Sequence, residues 1–180
     1  RWLCKKGFRV SVITAAHKSL PTHSIDNGVQ IHRIWGARKR LDRCSIFEML
    51  VFLVHAMIIM PRFIRLIKPK VSLVFFGLPS GPIGWWIKKV YGIPYILSLQ
   101  GGDVPGFMGN DLHFFHWITQ PLTRMVWNAA SFVVANSHGL AKTARENVPN
   151  IKIAVISAGA DLESFYPKVK LRKAGPIKLL

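Results

Sequence analysis

Apolar positions along this chain follow two rhythms. Short runs rich in Val, Ile and Phe alternate with longer stretches whose apolar residues recur every three or four positions, and Gly, Pro and Asn punctuate them. Residues 1–7 read as the last turn of a helix with Gly7 closing it. Residues 8–14 read as a strand by their β-branched content. Residues 15–28 are polar, carry Pro21, Asp26 and Gly28, and read as loop. Residues 29–34 alternate apolar and polar, which predicts a second strand near a sheet edge.

The longest apolar segment is 45–67. Ser45 can cap a helix there, with Glu48 three residues on as its capping-box partner. The nearly unbroken apolar run from Ile46 to Met60 falls short of the ~20 residues a spanning helix needs. Arg62, Arg65 and Lys68 then recur at helical spacing beside Phe63, Ile64 and Ile67. Two readings stand for this end: a helix packed on a sheet, or a basic, apolar flank resting on an anionic membrane.

Residues 71–76 are an unbroken apolar run, expected to be a central strand. A helix follows over 81–91, capped by Ser80 and closed by Gly92, and then a strand over 95–99. Strand, helix, strand at this spacing predicts a βαβ unit, hence a parallel sheet. Residues 112–130 read as a helix that Pro121 can kink, with Phe114, Phe115 and Trp117 as an aromatic patch flanked by His113 and His116. Strands are expected at 131–135 and 151–156, with a helix over about 140–147 between them. The basic stretch 168–173 reads as a linker.

Charge and cysteines narrow the picture. Lys and Arg number 25 against 8 Asp and Glu, a net charge of +17. Such a balance favours anionic partners: nucleic acid, anionic lipid headgroups or phosphorylated ligands. Half the residues are hydrophobic, so the chain is globular rather than disordered. Cys4 and Cys44 belong to no ligand-like spacing and read as two buried or idle thiols in a reducing compartment. There is no P-loop lysine motif, no G-x-G-x-x-G fingerprint and no G-x-S-x-G elbow.

The candidate chemistry sits where apolar runs stop. After Leu99 come Gln100, Gly101, Gly102 and Asp103. Adjacent glycines let a backbone approach a ligand closely, and an acid beside them offers a hydroxyl acceptor. Ligands of open α/β sheets lie past the carboxyl ends of the strands. A tight turn needing glycine and an Asx-type hydrogen bond explains the same letters. Asn136 and Ser137 follow the next strand, where they can cap a helix whose free amides suit an anion. Ser157-Ala158-Gly159-Ala160-Asp161 follows the last.

Several stretches in order carry a resemblance. They are the VSVIT strand after Gly7, Lys68-Pro69-Lys70-Val71, SGPIGWWIKKVYGIPYILSLQGGDVPGF, FVVANSHGLAKTA and VISAGADLESFYP. Together they resemble the N-terminal domain of family-four, GT-B-fold retaining glycosyltransferases, over nearly the whole chain. The resemblance implies an α/β fold, a Rossmann-like parallel sheet with helices on both faces. It implies an acceptor-binding domain over 1–167, lacking its first strand, with 168–180 leading into a donor-binding domain outside these residues. By this likeness Gln100 is the candidate catalytic residue, standing where many members have His. Gly101, Gly102, Asp103, Asn136, Ser137, Gly159 and Asp161 are the candidate substrate-binding residues. Asp103 is expected to hold an acceptor hydroxyl or to order its loop. Ala158 replaces the usual Asn.

The resemblance further implies a nucleotide-diphosphate sugar as co-substrate, no cofactor and no metal. It implies a glycan or lipid-linked acceptor and a cytoplasmic location, peripheral on an anionic membrane surface. The 180 residues are expected to be inactive alone, because the main donor-side glutamates lie elsewhere. Two other readings stand beside it: a basic nucleic-acid-binding α/β module, and the N-terminal half of a GT-B-fold sugar-nucleotide epimerase. The favoured reading takes no nucleic acid, since no recognition motif gathers the basic residues.

Overall fold

The computed structural model describes residues 1–42, 44–107 and 113–159. A four-residue helix α1 (Trp2–Lys5) leads into strand β1 (Ser11–Ala15), hairpin strands β2 (His23–Asp26) and β3 (Val29–Ile34), and helix α2 (Ile46–Ile67). Then strands and helices alternate: β4 (Ser72–Phe75), α3 (Gly81–Tyr91), β5 (Tyr95–Leu99), α4 (His113–Ala129), β6 (Phe132–Ala135), α5 (His138–Asn147) and β7 (Ile153–Val155). The class is α/β, as the βαβ spacing predicts.

The strands form two sheets. One has the order β1-β3-β2, with β1 parallel and β2 antiparallel to β3. The other has the order β4-β5-β6-β7, all parallel. Three expectations change here. Residues 23–26, read as loop, pair with β3 through a turn at Asn27-Gly28 whose two residues both have positive φ. Asn-Gly is a strong hairpin signal, and it outweighs the polar composition before it. Strand β3 is flanked on both sides rather than lying at an edge. Strand β4 is at an edge of its sheet rather than central: Val74 is buried, whereas Leu73 and Phe75 on the other face are each 52% exposed. An unbroken apolar run shows that a strand can be buried on both faces, not that it is.

Two cores hold the chain together. Alternate residues of β5, Tyr95, Leu97 and Leu99, are fully buried with Val126 and Trp127 of α4 and Leu140, Ala141 and Ala144 of α5. The Tyr95 hydroxyl donates to the Val126 carbonyl, tying β5 to α4, and burial pushes its pKa up to about 12. The second core joins Ala56, Met60 and Ile64 of α2 to Ile34 of β3 and to Ile83 and Ile87 of α3.

Helix α2 starts as its sequence dictates. Ser45 Oγ accepts from Glu48 N at 3.3 Å, and Glu48 Oε2 accepts from Ser45 N at 2.6 Å. Glu48 Oε1 also accepts from Lys39 N at 2.8 Å, which folds the basic connector back onto the helix start. The helix continues through Pro61 to Ile67, 22 residues in all. Lys68 in the left-handed region ends it, its N–H donating to the Ile64 carbonyl. Cys44 is exposed and Cys4 half-buried, both free, so neither of the thiols read as buried or idle is buried. The side chains of residues 113–116 and the linker at 168–180 lie outside the described residues.

Two stability measurements test these anchors. The N–H of Ser45, then that of Lys39, hold the Glu48 carboxyl down at about 2. In the unfolded chain it titrates near the ordinary ~4.3. Stability from Glu48 is therefore full above that upper value and drains away as pH falls toward about 2. Thermal melts should show the unfolding midpoint of the parent falling more steeply than that of Glu48→Gln through this window; parallel curves would refute the linkage. Tyr95→Phe leaves the buried Val126 carbonyl short of a donor and should cost about 1–2 kcal/mol in denaturant unfolding.

Candidate functional site

Because β4, β5, β6 and β7 run parallel in register, their carboxyl ends share one edge. Leu99 pairs with Ala135, and Ala135 with Val155. The segments that follow, at Gln100, Asn136 and Ile156, therefore stand side by side, and Gly77 follows β4 on the same rim. This juxtaposition brings together Gln100, Gly101, Gly102, Asp103, Asn136 and Ser137; Gly159, four residues beyond β7, is not joined to them. Asp161 lies outside the described residues.

Asp103 is the centre of the rim. It is 5% exposed, and both oxygens are engaged by backbone amides. Oδ1 accepts from Gln100 N and Gly101 N, each at 2.9 Å, and Oδ2 accepts from Gly77 N at 2.5 Å. Of its two expected roles, these bonds serve loop ordering. The carboxylate stitches the tip of β4 to the tip of β5, 26 residues apart in sequence. Charge-assisted bonds of this kind are short and strong, which keeps a buried carboxylate tolerable.

The glycines around it are there for space and conformation. Gly101 has φ +114°, and a Cβ on it would meet the Phe107 ring at 3.2 Å. A Cβ on Gly77 would stand 2.6 Å from Trp127 Nε1, a buried N–H without a hydrogen-bond partner among the described residues. Beyond Gly101 the loop turns tightly, Val104 N donating to Gly101 O at 2.9 Å. Asn147 Nδ2 of α5 donates to Pro105 O, also at 2.9 Å, clamping the loop to the neighbouring helix.

The other candidates are placed as follows. Gln100 is half-buried, and its Nε2 donates to Ser98 Oγ at 2.9 Å. Ser137 caps α5, its Oγ accepting from Leu140 N at 3.2 Å. Asn136 beside it is half-buried, and Gly159 is exposed. Ser80 precedes α3, but its side chain makes no cap bond.

Two rim residues were not singled out by the sequence reading. Gly77 is one; its signal was a glycine directly after an apolar strand, the same signal as at Gly101. Phe76 is the other. It holds φ +69°, a conformation bulky residues avoid, and is 45% exposed beside Gly77. No letter pattern announces a strained phenylalanine. Among the described residues no group of three or more His, Cys, Asp or Glu could hold a metal ion.

Comparison with known proteins shows the family and the fold. The family model for glycosyl transferase 4-like domains matches residues 1–159. No curated protein matches the sequence. Among solved structures, sucrose-phosphate synthase from Thermosynechococcus elongatus superposes with a TM-score of 0.74 at 15% identity, over 92% of this chain and 42% of that one. A second structure of that enzyme gives 0.66 at 13% identity, over 90% of this chain and 82% of that one. The chain thus spans about two fifths of the first of these relatives. The likeness is one of fold: the neighbours are GT-B glycosyltransferases.

The stitching role of Asp103 is open to a direct measurement. In Asp103→Asn one amide oxygen cannot accept from both loops, so a buried N–H is left facing the new NH2. A loss of about 2 kcal/mol in unfolding is expected, with faster hydrogen exchange at the Gly77 or Gly101 amide. Unchanged exchange at both would show that the carboxylate does not hold the tips together.

Proposed function

The chain belongs to the glycosyl transferase 4-like family, and from that premise we propose that it is the acceptor-binding side of a retaining glycosyltransferase. The reaction moves a hexose from a nucleotide-diphosphate sugar to a glycan or lipid-linked acceptor on the cytoplasmic side of a membrane. A second domain binds the donor, and no resident cofactor takes part. The observation that supports this reading best is the convergence of four parallel strand tips on one rim, two of them joined by a buried carboxylate.

Each residue then has a role its chemistry allows. Asp103 is a positioning residue: its oxygens are engaged by backbone, so it acts by fixing the loop walls. Gly101 and Gly102 keep that wall low enough for a sugar ring to approach. The Gln100 amide end is directed to Ser98, leaving its carbonyl oxygen as the atom to accept a sugar hydroxyl. Asn136 and Ser137 follow the neighbouring strand on the same rim, where their polar side chains suit sugar hydroxyls; Gly159 and Asp161 are kept as candidates on the family likeness alone. Preorganised dipoles of this kind lower a barrier because they need not reorient when charge develops.

An activity assay with mutants tests the assignment. The 180 residues alone should give no glycosyl transfer; robust turnover would overturn the division into acceptor and donor domains. In the full-length protein, Gln100→Ala should raise the acceptor KM by about tenfold while the affinity for the nucleotide-diphosphate stays within about twofold. An equal loss of nucleotide affinity would place Gln100 on the donor side and sink the acceptor assignment.

A further inference from the structure

Helix α2 has a second face that the cores do not use. Phe47, Leu50, Val54 and Ile58 recur at i, i+3, i+7 and i+11, a single stripe. They are 69%, 54%, 57% and 72% exposed. Only 17% of the most apolar window of this helix is buried. The exposed Trp35 flanks the stripe, with its carbonyl accepting from His55 Nδ1 at 2.7 Å. Two shallow depressions, of about 620 and 410 Å³, run along this face. Water-facing helices keep such positions polar, so four large apolar side chains in one exposed row call for a partner.

Charge tells which partner. Arg62 and Arg65 continue the stripe at its C-terminal end, both exposed, with Lys68 and Lys70 beyond them. At the N-terminal end, the Glu48 bond to Lys39 N folds the Arg38-Lys39-Arg40 connector against the helix start. Residues 35–70 carry eight cations against two carboxylates. Both carboxylates are already engaged: Asp42 pairs with Arg40 at 3.0 Å, and Glu48 is buried in its capping box. An apolar row bracketed by cations, with a tryptophan beside it, matches the interface of an anionic bilayer: acyl chains below, phosphates around. A second copy of this chain would bring cations against cations.

We propose that α2 lies flat on an anionic lipid surface, with Phe47, Leu50, Val54 and Ile58 inserted and Arg62, Arg65 and the 38–40 connector on the headgroups. The helix lies on the bilayer and does not cross it, because its opposite face is committed to β3 and α3 through Ala56, Met60 and Ile64. This surface deepens the glycosyl-transfer reading by naming its membrane contact, but it rests on the exposed face of α2 and is tested without an activity assay.

Sedimentation with vesicles decides the matter. The protein should pellet with vesicles of phosphatidylcholine and phosphatidylserine in equal parts, and not with phosphatidylcholine alone. Binding should weaken as salt rises, since the headgroup contacts are screened. Ile58→Asp with Val54→Asp, and separately Arg62→Glu with Arg65→Glu, should each weaken binding at least about tenfold. All four positions are exposed, so melting temperatures should stay at the parental value and separate lost docking from lost folding. Equal binding to both vesicle types, or to neither, would overturn the proposal. So would a dimer in light scattering that Ile58→Asp dissociates, or retention in the bilayer after alkaline carbonate extraction.

Discussion

A buried carboxylate fixes the strand-tip rim of this domain. Ionised groups are rarely held away from water without compensation, and Asp103 is compensated by three backbone N–H groups from two loops. The bonds make the turn after β4 and the turn after β5 one object. Gly77 must lack a side chain because Trp127 is packed against it, and Gly101 must hold a left-handed conformation because the amides have to converge. The rim's shape thus follows from one acid and the space around it. That economy suits a binding edge, where walls must stand in place before a ligand arrives.

Helix α2 shows a different constraint. Its inner face closes the second core against β3 and α3, while its outer face keeps large apolar residues in water. Both faces come from one nearly unbroken apolar run. Such a run is ambiguous from sequence, because a deeply buried helix and an interfacial one are both apolar for most of their length. Exposure separates the two cases, and here it divides the helix lengthwise rather than at one end. The sequence points to the basic end alone as a membrane contact; the exposed apolar row begins at Phe47, about four turns before the first of those arginines.

The fold and its candidate site were legible to different depths. The capping box at Ser45 and Glu48, helix α3 with Gly92 closing it, and the parallel β4-α3-β5 unit were all readable, because each is decided within a few residues. The rim was readable in outline too: Gln100–Asp103 and Asn136–Ser137 each follow an apolar run, and parallel strands put such ends together. The partners were not readable. Nothing near Asp103 in sequence says that Gly77 donates to it, and nothing near Phe76 says that it is held at positive φ.

By itself, then, the sequence determined most of the kinds of element, the caps at Ser45 and Gly92, and where the chain leaves each parallel strand. These depend on backbone propensity and on hydrogen bonds spanning three or four residues. Tertiary structure alone decided that β4 stands at a sheet edge, that β2 joins a hairpin, and which side of α2 meets solvent. Those outcomes depend on which surfaces far apart in the chain find each other. The physical reason is that an apolar side chain records a preference for leaving water but not the direction in which it leaves.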